Sequence, residues 1–353
     1  MHARNSLLGP VLAVCLAPSA ALATDGYFQH GYGIKAKGMG GAGVAFPQDA
    51  LAAATNPAGM ALIGDRVDVG IDWFRPVREA EIVGSPAPGV NGVYDASERK
   101  NFFIPEFGYN RMVNPRLALG VSVYGNGGMN TTYTRPVPLF GTSKAGVDLM
   151  QLFVAPTVAY KLNDDHAIGF SINLAYQRFE VTGLQNFVAM SSAGTALTDN
   201  GHDSSTGWGA RIGWTGRMSS ALTLGATYQT RARMDELDKY RGLFAERGGF
   251  DIPANYAIGM ALKTSPQLTV AFDVERIEYN KVKSVGNPLL PNLFGAPLGA
   301  DAGAGFGWRN TTVYKLGASY RYSDSLTLRG GWNYNRQPIP GSETLFNVLA
   351  PGV

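Results

Sequence analysis

Three adjacent residues, His202, Asp203 and Ser204, carry the side chains of a hydrolytic triad. Such a triad passes a proton from hydroxyl to imidazole while the carboxylate orients the ring, and three consecutive residues do not readily hydrogen-bond in that series. No catalytic residue is assigned there, and the chain does not read as an enzyme. Gly38, Gly40 and Gly43 satisfy the G-x-G-x-x-G spacing of a pyrophosphate cradle. That cradle needs a strand before it and an acidic residue at the right distance inside a βαβ unit, and neither is present, so no cofactor is expected. His30 and His166 stand apart in the sequence, and the one cysteine, Cys15, lies near the N-terminus, which leaves no metal-ligand spacing. The other chemistry-bearing side chains are cations. Arg231, Lys315 and Arg329 have two possible partners, a ligand carboxylate or the protein's own acids and carbonyls.

A period of two positions those cations. Leu222, Leu224, Ala226 and Tyr228 alternate with Thr223, Gly225, Thr227, Gln229 and Arg231. Arg211, Arg217, Arg231, Arg233, Asp273, Glu275, Lys315, Arg321 and Arg329 all fall on the polar parity of their segments. A soluble sheet alternates too. One charged and one apolar face, repeated over segments of about ten residues, is the pattern of a transmembrane antiparallel β-barrel, so the fold class is all-β. By this register Leu224 and Leu328 face lipid, while Arg231 and Arg329 face the lumen.

Strands are expected at residues 67–77, 102–112, 117–133, 147–161, 167–181, 206–218, 222–233, 250–264, 268–283, 308–322 and 326–335. Short turns fall at 113–116, 163–166, 218–220, 265–267 and 323–325, built from Asn, Asp, Pro and Ser. Long loops fall near 83–99, 135–146, 185–205, 234–248, 285–307 and 337–352, and 185–205 reads most simply as a solvated loop. Short turns on one side and long loops on the other is how bacterial barrels face periplasm and exterior. Trp73, Tyr109, Tyr160, Tyr176, Trp208, Trp214, Tyr228, Tyr256, Trp308, Tyr320, Trp332 and Tyr334 sit near strand ends on the apolar parity, as an interfacial girdle requires.

Composition agrees. The chain has 353 residues, 45% of them hydrophobic, and a mean hydropathy of −0.05, too polar for a helical membrane protein. After residue 23 no uncharged apolar run reaches the roughly 18 residues of a spanning helix. The net charge of +3 is dispersed and makes no nucleic-acid footprint. Arg4, the apolar run 7–17 and Ala21-Leu22-Ala23 read as a secretory signal peptide over residues 1–23. The mature chain then has no cysteine, which suits a fold closed by hydrogen bonds alone.

The segment after the signal, residues 24–64, is rich in Gly and Ala and has no period of two. Its Gly38 to Gly43 turn, Asp49 with the following alanines, and Asn56-Pro57-Ala58-Gly59-Met60 resemble the start of the FadL-type outer-membrane transporters of long-chain fatty acids and aromatic hydrocarbons. Val123-Tyr124-Gly125-Asn126-Gly127-Gly128 is similar to the glycine-containing kink in that family's third strand.

The resemblance implies a fourteen-stranded barrel over residues 65–353 whose lumen is plugged by an N-terminal hatch, residues 24–64. It also implies passive, substrate-selective uptake of hydrophobic compounds across the outer membrane of a Gram-negative bacterium, with lateral exit at the kink. Asn56, Pro57 and Ala58 would lie in the hatch, 24–29 beside the pocket, and Gly125, Gly127 and Gly128 at the kink, although an ordinary bulge would use the same glycines. Leu139, Phe140, Leu243 and Phe244 are candidates for first capture and Phe187 for a later contact, unless the loop tips pack on themselves. The expected surroundings are a hydrophobic small molecule, outer-membrane lipid and lipopolysaccharide, with the chain a monomer. A general porin or an adhesion barrel is the alternative.

About eleven strands are visible where the family has fourteen, and the chain stops at Ala350-Pro351-Gly352-Val353 without a terminal aromatic. The expectation is a C-terminally incomplete barrel, open between its first and last strands and unable to insert stably alone. The signal reading has a direct test: protein recovered from outer membranes should begin at Thr24 by N-terminal sequencing, and a retained Met1 would remove the export argument.

Overall fold

The computed structural model describes residues 24–350, so the expected signal peptide and the last three residues lie outside it. The strands, in chain order, are β1 (Thr24–Asp25), β2 (Phe28–Gln29), β3 (Arg66–Phe74), β4 (Glu79–Ile82), β5 (Gly92–Asp95), β6 (Phe102–Asn114), β7 (Leu117–Thr132), β8 (Gly146–Lys161), β9 (His166–Thr182), β10 (Asp203–Arg217), β11 (Leu222–Gln229), β12 (Arg233–Met234), β13 (Asn255–Lys263), β14 (Leu268–Ile277), β15 (Thr311–Arg321) and β16 (Thr327–Asn335). Eleven of them form the wall, each antiparallel to the next, in the order β3-β6-β7-β8-β9-β10-β11-β13-β14-β15-β16. Among the described residues no helix is long and apolar enough to cross a membrane, and the crossing is made by strands.

Strand existence and order follow the alternation, with corrections at the ends. The β11 ladder stops at Gln229, so Arg231 lies beyond the strand, where it pairs with Asp251 at 3.6 Å instead of facing the lumen. Arg217 likewise sits at a short turn, beside Asp165 at 2.6 Å. β15 begins at Thr311, and Trp308 is buried, not part of the lipid-facing girdle. The other girdle aromatics are half-buried or exposed on the outer wall. Alternation alone cannot mark where a strand stops, because loop segments also carry apolar residues at even spacing.

A barrel this wide has a lumen that its own side chains cannot fill. Residues 24–64 occupy it. A short helix, α1 (Ile34–Lys37), lies against one edge of the wall, and a 3-10 helix at Pro57–Leu62 packs on β8, β9 and β10. Among the described residues no ladder joins β3 to β16. The N-terminal segment touches both sides of that seam. Lys37 Nζ lies 3.0 Å from Asp72 of β3 and 2.9 Å from Glu106 of β6, and Gln48 Oε1 accepts from Arg329 Nε of β16 at 2.7 Å.

Leu328 does face outward, but it is the second residue of β16, next to the turn. A charge there costs only about 0–1 kcal/mol, whereas one at mid-membrane costs about 2–4 kcal/mol. Ile258, 65% exposed in the middle of β13, is the better probe. Ile258→Arg should destabilise the folded barrel by roughly 2–4 kcal/mol in a urea titration, with Leu328→Arg well below it. Equal costs would overturn the assigned depth.

Candidate functional site

The seat of the N-terminal segment is made of glycines. On the lumen parity, Gly108, Gly120, Gly169, Gly213, Gly225, Gly259, Gly317 and Gly331 each leave space that a Cβ would fill with an atom of that segment. Gly169 faces the Pro57 and Ala58 backbone, Gly213 faces Asn56, Gly225 faces Val44, and Gly317 and Gly331 face Met39. The missing side chains let the segment's backbone lie directly on the wall's backbone. The sequence signal was present, a glycine on the polar parity of strand after strand, but alternation analysis reads such residues only as "not apolar".

Side chains then lock the segment in register. Asn56 Nδ2 donates to Val44 O at 2.8 Å and to Trp214 O at 2.9 Å, while its Oδ1 accepts from Ala58 N at 3.1 Å and caps the 3-10 helix. Pro57 at the first helical position lacks an N–H that would otherwise need a partner. Asp273 Oδ2 of β14 accepts from Gly43 N and Val44 N at 2.7 and 2.9 Å.

The wall is interrupted at the glycines of β7. Its ladder with β6 ends at Phe107↔Val123, so residues 124–132 pair only with β8 on the wall, and the register slips between Gly125 and Gly127. The bulged residue, Asn126, points its amide to Gln151 Oε1 at 3.1 Å. The bare edge is taken by the N-terminus: Phe28 pairs with Gly127, Gly128 N donates to Tyr27 O at 2.9 Å, and Gln29 Nε2 donates to Gly125 O at 2.7 Å. Gly26, at φ 72°, makes the turn between β1 and β2 in a conformation that favours glycine.

Beside this break lies an aromatic cluster that the sequence did not announce. Tyr27 has ring centroids 5.1 Å from Tyr279, 5.7 Å from Trp308 and 6.1 Å from Phe250, and Phe250 continues to Phe244 at 4.8 Å. The loop candidates join it from above. Phe140, Phe187, Leu243 and Phe244 are buried and Leu139 is half-buried, so they are not an exposed capture surface. Segment 185–205 is not a solvated loop either, since Phe187, Ala196 and Leu197 are buried. Long loops that meet over a lumen remove each other's apolar side chains from water. Phe179, Leu243, Phe244, Phe306, Phe346 and Leu349 line a cavity of about 20 Å³ with no charged residue in its lining.

Charges collect below, on the other side of β1. Lys315 Nζ lies 2.8 Å from Glu275 and 3.3 Å from Asp25, and all three are largely buried. Burial pushes the Asp25 carboxyl up to about 6, against the opposing pull of Lys315. Asn335 Nδ2 donates to Asp25 Oδ1 at 3.1 Å. Arg211 donates to Thr55 O at 3.0 Å and to Gln229 Oε1 at 2.5 Å. Of the three cations singled out in the sequence, Lys315 and Arg329 are thus engaged by the N-terminal segment and Arg231 by a loop acid.

His202, Asp203 and Ser204 form no relay. Asp203 accepts from the Ser204 and Lys239 backbones, and the His202 ring turns to Asp148 and Glu180. These two carboxylates and the imidazole nitrogen lie within 4.8 Å of one another, a grouping that sequence spacing could not reveal because it spans β8, β9 and the residue before β10.

A profile of outer membrane transport proteins (OMPP1/FadL/TodX) matches residues 15–348. Among solved structures, the Pseudomonas putida toluene transporter TodX is 19% identical, with 90% of this chain and 87% of that chain covered and a TM-score of 0.66. The Ralstonia pickettii toluene transporter TbuX is 20% identical, with 87% of each chain covered and a TM-score of 0.63. A Pseudomonas aeruginosa FadL homologue is 19% identical, with 89% and 82% covered and a TM-score of 0.62. No curated protein matches the chain.

The glycine seat can be tested by filling it. Gly169→Val should leave the strands formed by circular dichroism but expose residues 24–64 to added protease, because the new side chain meets the Pro57 backbone. Wild-type protection of that segment in the variant would show that the seat is not needed.

Proposed function

We propose that this chain, which belongs to the outer membrane transport protein family of FadL and TodX, admits small uncharged hydrocarbons, aromatic ones above all, across the outer membrane. The observation that carries this reading is the lining of the upper cavity: aliphatic and aromatic side chains with one hydroxyl, Ser284, and no charge. A fatty acid would bring a carboxylate. The nearby cation, Lys315, already has two acids, and a second carboxylate would have to displace one of them. The solved toluene transporters of like fold support the same class of ligand.

On this reading residues 24–64 act as a hatch. An apolar cavity of about 150 Å³ holds benzene, so one of about 20 Å³ is closed and must open for a ligand to enter. Ligand rings would replace protein rings in the aromatic cluster, which limits the cost of opening. The β1–β2 hairpin, which covers the bare edge of β7, would then withdraw and free a lateral path between β6 and β7 into the membrane. Leu139, Phe140, Leu243 and Phe244 contribute as parts of a closing cap, with Phe187 between Phe140 and Phe346.

Vesicles carrying the protein should take up toluene saturably and faster than a charged solute of equal size. The double substitution Asn56→Ala and Pro57→Ala should leave the barrel assembled and lower toluene uptake. Unchanged uptake would make the segment a passive filler, and equal passage of ions and toluene would favour a general pore.

A further inference from the structure

We propose that Asp148, Glu180 and His202 form a binding site for a divalent cation of the zinc type at the extracellular end of the outer wall. The register of the sheet builds it. Asp148 of β8 is directly opposite Glu180 of β9, and because Asp203 opposes Phe179, the preceding residue His202 falls in the same row. On the other side Asp148 is opposite Asn130 of β7. Asn130, Asp148 and Glu180 lie on the outward parity of their strands, beyond the girdle residue Tyr176, and His202, just before β10, continues that strand's outward parity.

Two carboxylates facing each other across a ladder repel. Here they converge on one imidazole, with His202 Nε2 at 3.0 Å from Asp148 Oδ2 and 3.3 Å from Glu180 Oε2. Those separations match the ~3.0–3.4 Å between ligand atoms that surround a zinc ion bound at ~2.0–2.1 Å. An independent sign is the amide of Asn130. Its Oδ1 is buried with no hydrogen-bond partner, while its Nδ2 donates to Asp148 Oδ1 at 3.0 Å. A half-turn of that amide puts the orphaned oxygen next to the Asp148 carboxylate, which is unfavourable beside a bare acid and favourable beside a cation.

Imidazole with carboxylates selects zinc-like ions over magnesium or calcium, which prefer oxygen throughout. Arg99 and Arg178 lie 3.7 and 3.4 Å from the same Asp148 oxygen. They neutralise the acids when no ion is present, and with the ion bound they are free to draw an anionic oxygen to its open position. Binding takes the lone pair of Nε2, and any proton that the ring shared with the carboxylates leaves to solvent. The ion would tie β8 and β9 to the base of segment 183–202, and so hold the loop that carries Phe187 and Leu197.

The test is calorimetric titration of the full chain, folded in detergent and stripped with EDTA, with zinc chloride. The expected result is saturable binding of one ion, weakened roughly tenfold or more in His202→Ala and in Asp148→Asn, unchanged in His166→Ala, and not competed by equimolar magnesium chloride. In the unmutated chain, zinc should also protect His202 from diethyl pyrocarbonate, read by mass spectrometry, a measurement that stands if a variant fails to fold. Absence of saturable binding, affinity in the two variants equal to that of the unmutated chain, or equal His202 modification with and without zinc would overturn the site and leave an ion-pair network only.

Discussion

In hydrocarbon every backbone N–H and C=O must find a partner within the protein, and this constraint governs the molecule. It turns the chain into one continuous antiparallel ladder. It also makes each place where the ladder stops a place that something else must serve. Among the described residues there are two such places, the seam between β3 and β16 and the upper half of the β6–β7 interval, and residues 24–64 reach both. At the first, side chains of the segment pair with each edge. At the second, the β1–β2 hairpin supplies backbone partners to the freed glycines of β7. The plug is therefore part of the wall's hydrogen bonding as well as a filling for its lumen.

This dependence explains the distribution of glycine. Backbone can approach backbone only where no Cβ intervenes, so the lumen face must be bare wherever the segment passes. The outward face needs no such relief and carries isoleucine, leucine and aromatics instead. The two faces of one strand thus answer to different partners, lipid outside and polypeptide inside. A valine at Gly169 would be harmless on the other parity.

The strands, their order and the division into short turns and long loops were legible in the sequence, because lipid on one side and polar lumen on the other impose a strict period of two over many residues. Asn56 and Pro57 were singled out only through the resemblance, and their local role, an N-cap followed by a residue that needs no donor, emerges in the structure. The aromatic cluster was not. Its members, Tyr27, Phe179, Phe244, Phe250, Tyr279, Trp308 and Phe346, come from β9, from separate loops and from the N-terminus, and only the fold of the whole wall brings them together. Trp308 shows the limit well: its parity matched the girdle, but three residues later the strand began, and the ring turned inward to donate to Asn347. The grouping of Asp148, Glu180 and His202 escaped for a similar reason, since cross-strand register and not sequence distance defines it.

Lys315 bears on how the N-terminal segment could be held firmly and still leave, as the proposed hatch would require. A buried cation stripped of its only partner is strongly destabilising, so a single Lys315–Asp25 pair would resist any movement of the hairpin. The wall provides a second acid, Glu275, at the shorter distance of 2.8 Å, and this acid would stay with Lys315 if β1 withdrew. On the other partner, burial already disfavours the Asp25 carboxylate, so its departure from the lumen relieves a desolvated charge. The contact is thus lopsided: the cation would remain compensated by the wall, and the acid that would move is the one least at ease where it sits. A latch of this kind would set register in a closed state without making an open one prohibitive, which is what the proposed hatch would require.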